Sequence, residues 1–573
     1  MSGGYVRQST TTRLQSDEKG IPTFNVGAVF SPRNLLNDAG PIGAAFEGKY
    51  MQELNAVPEA SRGQPHEGAI FPGYLVGNDS VTFRTGRPGY NYTVVSYTWG
   101  RWMNADRTLD TPVRGGHWKV PANTLFTRAE LDSAVRNIAG DSNMWVDVLC
   151  IPQDDGDPEK AAEIGKQGDI FRSASRAAIW LCSGGDEVLV ELCSAVPEQS
   201  YLTPPEVIPE LVVEARRRLR MVADLPRLVP WLTSLWTLQE SALRVDAVFY
   251  DKQGLPLRHT ETGNPIDIRH LIRTIQEIED DLCNLEEQVS GGHIWSPGYT
   301  RRSKEYVLAQ EDIPLLREAR RAVERIGLLE LVNMNAVQLL RAAAQRECQR
   351  PHDRVYGIMG AIGVPVPVDY GEDPSRVMDD FILELHRRIP AEMQCFHRPS
   401  GRSSGERKRD WMVDDESTVF GLVRQLAPPP RNVFASITTE GHLVITNALS
   451  LAEQGVEELI SRALVQGVLS SFDNDAVAQI FEGDRSPASF GSVDYVEFCR
   501  FILELHTRTK LNLVPLGTLR GMAHLGWKFS YALVGMTGTH PVAGDEMYRR
   551  LGILFTGDEL VLSKPRKGQI LLQ

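Results

Sequence analysis

The run Met144-Trp145-Val146-Asp147-Val148-Leu149-Cys150-Ile151 constrains the fold more than any other stretch of the chain. Apart from Asp147 it is wholly apolar, and it does not alternate. A strand that shows one face to water alternates; an unbroken apolar run fits a strand covered on both faces, as in a parallel sheet between helices. Two more strands flank it. Tyr92 to Tyr97 is rich in β-branched and aromatic residues, and Ala177 to Cys182 is again apolar. The spacing predicts a helix over about Arg128–Ile138, where Leu131, Val135 and Ile138 share a face. A second helix is predicted from Asp157 to about Ser173. Asp157 suits the N-cap, Pro158 the first helical position, and Glu159 the positive end of the dipole. Strand, helix, strand, helix, strand implies a parallel sheet with packed helices.

The rest of the chain reads differently. Helices are expected over Glu206–Ala223 and from Pro230 onward, where Trp231, Leu235, Trp236 and Leu238 give an apolar side. Trp236 and Glu240 stand four apart, on one face. Charged helices follow over Ile268–Leu285 and Asp312–Cys348. The polar segment Arg398–Asp410 and the run Pro428-Pro429-Pro430 read as linker. The hexapeptide Phe-Ile-Leu-Glu-Leu-His occurs at 381–386 and 501–506. Its flanks differ, so two independent amphipathic helices are expected rather than a repeat. From about Val542, Gly552 and Gly557-Asp558 mark turns between short strands. The expected organisation is a partly disordered extension (1–74), an α/β domain (75–255), a helical region (256–397), a linker (398–431) and a mixed α+β region (432–573).

Composition narrows the function classes. Hydrophobic residues make up 42% and charged residues 24% of 573, which excludes a disordered tail, a collagen or a coiled-coil rod. The net charge of -13 argues against chain-wide nucleic-acid binding. The seven cysteines are scattered with no zinc spacing, and the twelve histidines form no metal pattern. Reduced thiols and a cytoplasmic location are expected. The start lacks a signal-peptide core, and its second residue, Ser2, does not fit myristoylation. No run approaches the ~20 apolar residues of a membrane helix, so no membrane partner is expected.

Three ordered blocks carry a resemblance. They are Ser96-Tyr97-Thr98-Trp99-Gly100; Trp145 to Gln153 with Asp154, Glu159-Lys160 and Trp180-Leu181; and Leu235-Trp236-Thr237-Leu238-Gln239-Glu240. Together they resemble the heterokaryon-incompatibility (HET) domain of filamentous fungi. Arg346-Glu347-Cys348, Pro351 and Asp353 to Gly357 resemble the segment that usually follows it. The chain departs from the family pattern at Pro152, where Asn is usual, and at Ser234, where Arg is common. The resemblance implies a protein of fungal non-self recognition and programmed cell death. Its fold would be a TIR-like, flavodoxin-like α/β sheet. Some TIR domains cleave NAD at the nicotinamide–ribose bond with a glutamate in a Trp-x-x-x-Glu-like segment, and Trp236 to Glu240 has that spacing.

Ligands of parallel sheets bind beyond the carboxyl ends of the strands. There the resemblance assigns Glu240 and Asp147 as the catalytic carboxyls. Ser96, Tyr97, Trp99, Gln153 and Trp236 are the ligand contacts. No metal and no resident cofactor are expected; NAD would be a substrate. A carboxylate would stabilise the oxocarbenium-like ribose as the C–N bond breaks. Structural roles stand beside these. Trp99, Trp145 and Trp236 suit a core. Asp147 suits a backbone or hydroxyl partner, and Glu240 an exposed face or an ion pair. Cys150 ends an apolar strand and reads as an inert thiol. Three functions stay open: a cell-death effector acting through NAD hydrolysis, a non-catalytic module that binds other proteins or itself, and an accessory protein of a secondary-metabolite gene cluster.

Overall fold

The computed structural model describes residues 72–77, 91–98, 118–154, 157–194, 209–290, 312–329, 336–389 and 392–394. It also describes shorter strands before 110 and a set of strands and one helix between 426 and 572. By contacts, residues 1–57 and 58–573 form two units. In the first, the described residues form an antiparallel pair, Gln15–Ser16 with Pro22–Thr23.

The second unit opens with β1 (Tyr74–Val76), β2 (Val81–Phe83), β3 (Tyr92–Ser96), β4 (Met103–Leu109) and β5 (Val120–Asn123). Then come α1 (Arg128–Ala139), β6 (Asn143–Val146), one helical turn α2 (Asp147–Cys150), α3 (Pro158–Ser173) and β7 (Arg176–Trp180). Next are α4 (Asp186–Ser194), α5 (Pro209–Leu228), a 3-10 turn Pro230–Thr233, α6 (Leu235–Leu243) and β8 (Val248–Tyr250). The main sheet has the order β8-β7-β3-β6-β1-β2. β8, β7, β3 and β6 are mutually parallel. β1 and β2 extend that core with antiparallel pairings. Numbered along the chain, the four parallel strands lie in the order 2-1-3-4, so direction of winding reverses beside β3.

Every residue of β3 is buried, as expected for a central parallel strand with helices on both faces. The Tyr92 hydroxyl donates to the Ile170 carbonyl of α3 at 2.6 Å, pinning helix to strand. The helix starts follow the sequence. Thr127 caps α1 with a reciprocal box: Glu130 N donates to its hydroxyl at 3.2 Å, and its own N–H donates to the Glu130 carboxylate at 2.7 Å. Asp157 caps α3, accepting from Glu159 N at 2.8 Å, with Pro158 at the first position.

Three expectations need correction. Gly552, expected at a turn, lies inside the strand Glu546–Thr556, paired with Leu533. The strand expected over Met144–Ile151 ends at Val146, and Asp147–Cys150 coils into one helical turn closed by Ile151 N donating to Asp147 O at 2.7 Å. A short apolar run is compatible with either state, so packing decides. The single helix expected over Asp312–Cys348 is broken. α8 (Ile313–Ile326) stops at Gly327, whose φ of 63° is the left-handed C-terminal cap that glycine favours, and α9 (Ala336–Gln345) follows.

The remaining helices are α7 (Ile268–Ser290), which precedes α8, then α10 (Asp353–Ile362) and α11 (Pro374–Arg388). One apolar core joins the sheet to them, running from Tyr74 through Phe381 and Leu385 to Met393. The two copies of the hexapeptide lie in separate helices, α11 and α12 (Tyr495–Arg508). The C-terminal strands form a second, largely antiparallel sheet built on Leu511–Leu519, Phe529–Thr539 and Glu546–Thr556. Most of the expected 1–74 extension and of the 398–431 linker lies outside the described residues; Leu426–Ala427, within the latter, is a strand of this second sheet. Among the described residues, no helix is long and apolar enough to cross a membrane.

Candidate functional site

β3 ends at Ser96, between β6 and β7, where the winding reverses. Its hydroxyl donates to Glu240 Oε2 on α6 and accepts from the Trp231 indole N–H at 2.7 Å. The Gln167 amide of α3 donates to the other carboxyl oxygen, Glu240 Oε1, at 3.2 Å. Three elements thus meet on one carboxyl, a strand end and two helices, and the 3-10 turn joins them through Ser96. The acid is only 7% exposed. Its one-turn neighbour on the same helix, Arg244, turns away. That guanidinium binds the Ala174 carbonyl at 2.6 Å and Asp246 at 2.8 and 2.9 Å. Among the described residues, no cation lies within ion-pair distance of Glu240.

Burial pushes the Glu240 carboxyl well above its ordinary range. The hydrogen bonds from Ser96 and Gln167 pull the other way, and the Asp147 carboxylate adds to the rise. Burial of an ionised acid with only neutral donors costs more than two hydrogen bonds return. The site therefore favours the protonated acid more than water does.

Tyr97, the next residue along, is also buried. Burial first, then the nearby Asp147 carboxylate, raise its phenol well above the ordinary value, and Glu240 contributes too. Its ring packs on Trp180 at 5.6 Å and on Phe126 at 6.4 Å. Asp147 itself is half-buried at the end of β6, with Val148 N donating to its Oδ1 at 2.6 Å. Ser96, Tyr97, Asp147 and Glu240 are thus electrostatic neighbours at the carboxyl edge of the sheet.

The other expected contacts lie elsewhere. The Gln153 side-chain amide donates back to the Ile151 carbonyl at 2.7 Å, and the Gln153 backbone carbonyl accepts from Lys160 Nζ at 2.8 Å, so the residue braces the loop into α3. Trp236 lies against Gly357 of α10 and beside Asp353, on the side of α6 that meets the helical region. Trp99 lies outside the described residues. Trp145 is fully buried against Phe171 and is a core residue. Cys150 is fully buried with its thiol pushed up by desolvation, so it is inert. Cys150, Cys182, Cys193 and Cys348 are free thiols. Among the described residues, no group of three or more His, Cys, Asp or Glu could hold a metal ion.

Two site residues were not singled out from the sequence. Gln167 had a legible signal: with Ile164 and Phe171 it falls on the buried face of α3, where a lone amide needs a partner. Trp231 was read as apolar surface for its helix; only the fold shows its N–H bound to Ser96.

The site and fold define an α/β protein with a buried acid at the carboxyl edge of a parallel sheet. Residues 92–240 match the family model described as Heterokaryon incompatibility protein (HET), and the chain carries a HET domain. It is similar to Heterokaryon incompatibility protein 6, OR allele, of Neurospora crassa, with 25% identity over 202 residues. That match covers 28% of this chain, and the chain spans 29% of the relative's length. No solved structure matches.

Proposed function

We propose that this chain acts in fungal heterokaryon incompatibility as a cell-death effector, and that its HET domain cleaves NAD at the nicotinamide–ribose bond. The observation that carries the reading is the hydrogen bond between Ser96, at the end of the central strand, and the Glu240 carboxyl. Two features support it. The 2-1-3-4 order of the parallel strands is that of flavodoxin-like sheets, which bind ligands at the reversal of winding. A carboxyl with a raised pKa at that place fits acid or electrostatic work better than a structural role does. In this reading Glu240 passes its proton to water as NAD enters, and its carboxylate holds the positively charged ribose while nicotinamide leaves with the C–N electron pair; water then adds to the ribose and releases a proton, with Asp147 nearer solvent. Self-association, or another protein, would supply the trigger.

The test is nicotinamide release from NAD by the purified full-length protein over a range of protein concentrations. Glu240→Gln is expected to reduce the rate by about a hundredfold. Equal rates would remove the assigned role, and no release from wild-type protein that still kills cells would remove NAD cleavage itself.

A second reading is favoured by the deep burial of Glu240 among neutral donors. The acid would be a structural pin in a module that binds other proteins. Induced expression in a fungal cell separates the two: the enzymatic reading expects Glu240→Gln to spare viability, and the binding reading expects it to kill as wild type does.

A further inference from the structure

Residues 92–240 match the family, yet the helix that carries Glu240 is held by chain well downstream of that match. The N-terminus of α6 has no side-chain cap at Ser234. Its first N–H, on Leu235, donates instead to the Glu347 carbonyl at 2.9 Å, and Glu347 N donates to Thr233 O at 2.7 Å. Arg346, fully buried, donates to the Ser234 carbonyl at 2.9 Å and to the Thr237 hydroxyl at 3.1 Å. The same guanidinium binds the Ile326 carbonyl that ends α8, at 3.0 Å. These bonds supply partners that α6 lacks within its own sequence.

The second hold lies beside the acid. Gln239 Oε1 accepts from the backbone N–H groups of Gly360, at 2.7 Å, and Ala361, at 3.3 Å, on α10. Gly360 also lies against Gly168 of α3, the residue after Gln167, and its carbonyl accepts from Arg172. A Cβ placed on Gly360 would stand 2.7 Å from Gln239 Oε1 and 2.9 Å from the Gly168 Cα. No side chain fits there without moving a helix. The two side chains that meet at the carboxyl, Gln167 and Glu240, are each next in sequence to a residue touching Gly360.

We propose that the segment 343–362, beyond the family match, is a positioning element of the Glu240 site, and that Gly360 is the contact through which it fixes the acid. The functional unit then extends at least to α10. The inference rests on the reading that Glu240 is the working group of the site.

The test uses full-length protein and infrared difference spectroscopy. The protonated carboxyl stretch of Glu240 is assigned as the band lost in Glu240→Gln, and its disappearance is followed with pH. Gly360→Ala pushes α10 off α3 and α6 and admits water, so the midpoint is expected to fall by about one pH unit or more toward the ordinary carboxyl value. Gln239→Met keeps the volume, removes the acceptor, and is expected to lower the midpoint in the same direction; it decides the matter if Gly360→Ala does not fold. Gly165→Ala on α3 meets only Val368, at 3.9 Å, and is the control expected to leave band and midpoint unchanged. Wild-type band and midpoint in the folded variants overturn the proposal. Nicotinamide release is measured alongside. A shifted midpoint with no NAD cleavage by wild type retires the NAD reading and leaves the positioning role standing.

Discussion

Two acids near the C-terminus of α6 are treated in opposite ways. Glu240 is buried with neutral donors, and its carboxyl is held above the ordinary range. Just past the helix end, Asp246 takes two bonds from Arg244, and the guanidinium holds it below the ordinary range despite burial. Asp267, bound by Arg269 and His270, is lowered likewise. Glu240 and Arg244 are four apart, the spacing of an ordinary helical ion pair. The fold declines that pair and spends the arginine on Asp246 and on the carbonyls that end α3. The difference teaches where stability is kept and where it is withheld: an acid already neutralised by a cation has no charge left for a ligand.

Breaking the Arg244–Asp246 pair should have the largest effect. Arg244→Met takes the guanidinium from Asp246 and the side-chain donor from the Ala174 carbonyl. A loss of about 3 kcal/mol is expected in urea unfolding; a loss under about 1 kcal/mol would show the pair to be dispensable.

The next effect is a pH dependence with opposite signs for the two kinds of acid. The folded value of Glu240 is raised above the ordinary 4.5. Its contribution is therefore fully present below about 4.5 and is lost as pH rises through the folded value. Asp246 and Asp267 are lowered from 3.8, so their contribution is present above that value and is lost as pH falls through the folded ones. Glu240→Gln should accordingly gain stability over wild type as pH rises from 5 toward 8, with the two curves converging near 4.5. Parallel melting curves across that range would contradict a protonated Glu240.

Smaller effects sharpen the same contrast. Ser96→Ala removes the hydroxyl that joins Trp231 to Glu240 and is expected to cost about 1–2 kcal/mol, because two buried groups lose a partner. A change in the near-ultraviolet signal of Trp231 should accompany it. Thr127→Ala, far from the site, removes one cap of α1. It should cost about 1 kcal/mol and leave nicotinamide release unchanged.

Much of this was readable one residue at a time. β-branched runs gave the strands, Asp157-Pro158 opened α3, and Leu131, Val135 and Ile138 faced the core. The end of α8 was also written, in Gly327, although the charged periodicity on both sides masked it. The turn at Asp147–Cys150 was not readable, since an apolar run of four carries no period of its own. Site residues divided along the same line. Ser96, Tyr97, Asp147 and Glu240 belong to ordered motifs, and the structure brings them together. Gln153 and Trp236 belong to the same motifs but face their own loop and α10.

The amino-acid sequence by itself determined the alternation of strands and helices, the capped helix starts and the family resemblance, because each depends on neighbours within a few residues. Only the tertiary structure decided the state of Glu240. Its charge depends on burial and on donors 73 and 144 positions away, and on an arginine one turn along that found a different partner. Desolvation is a property of everything packed around a group, so no local pattern records it.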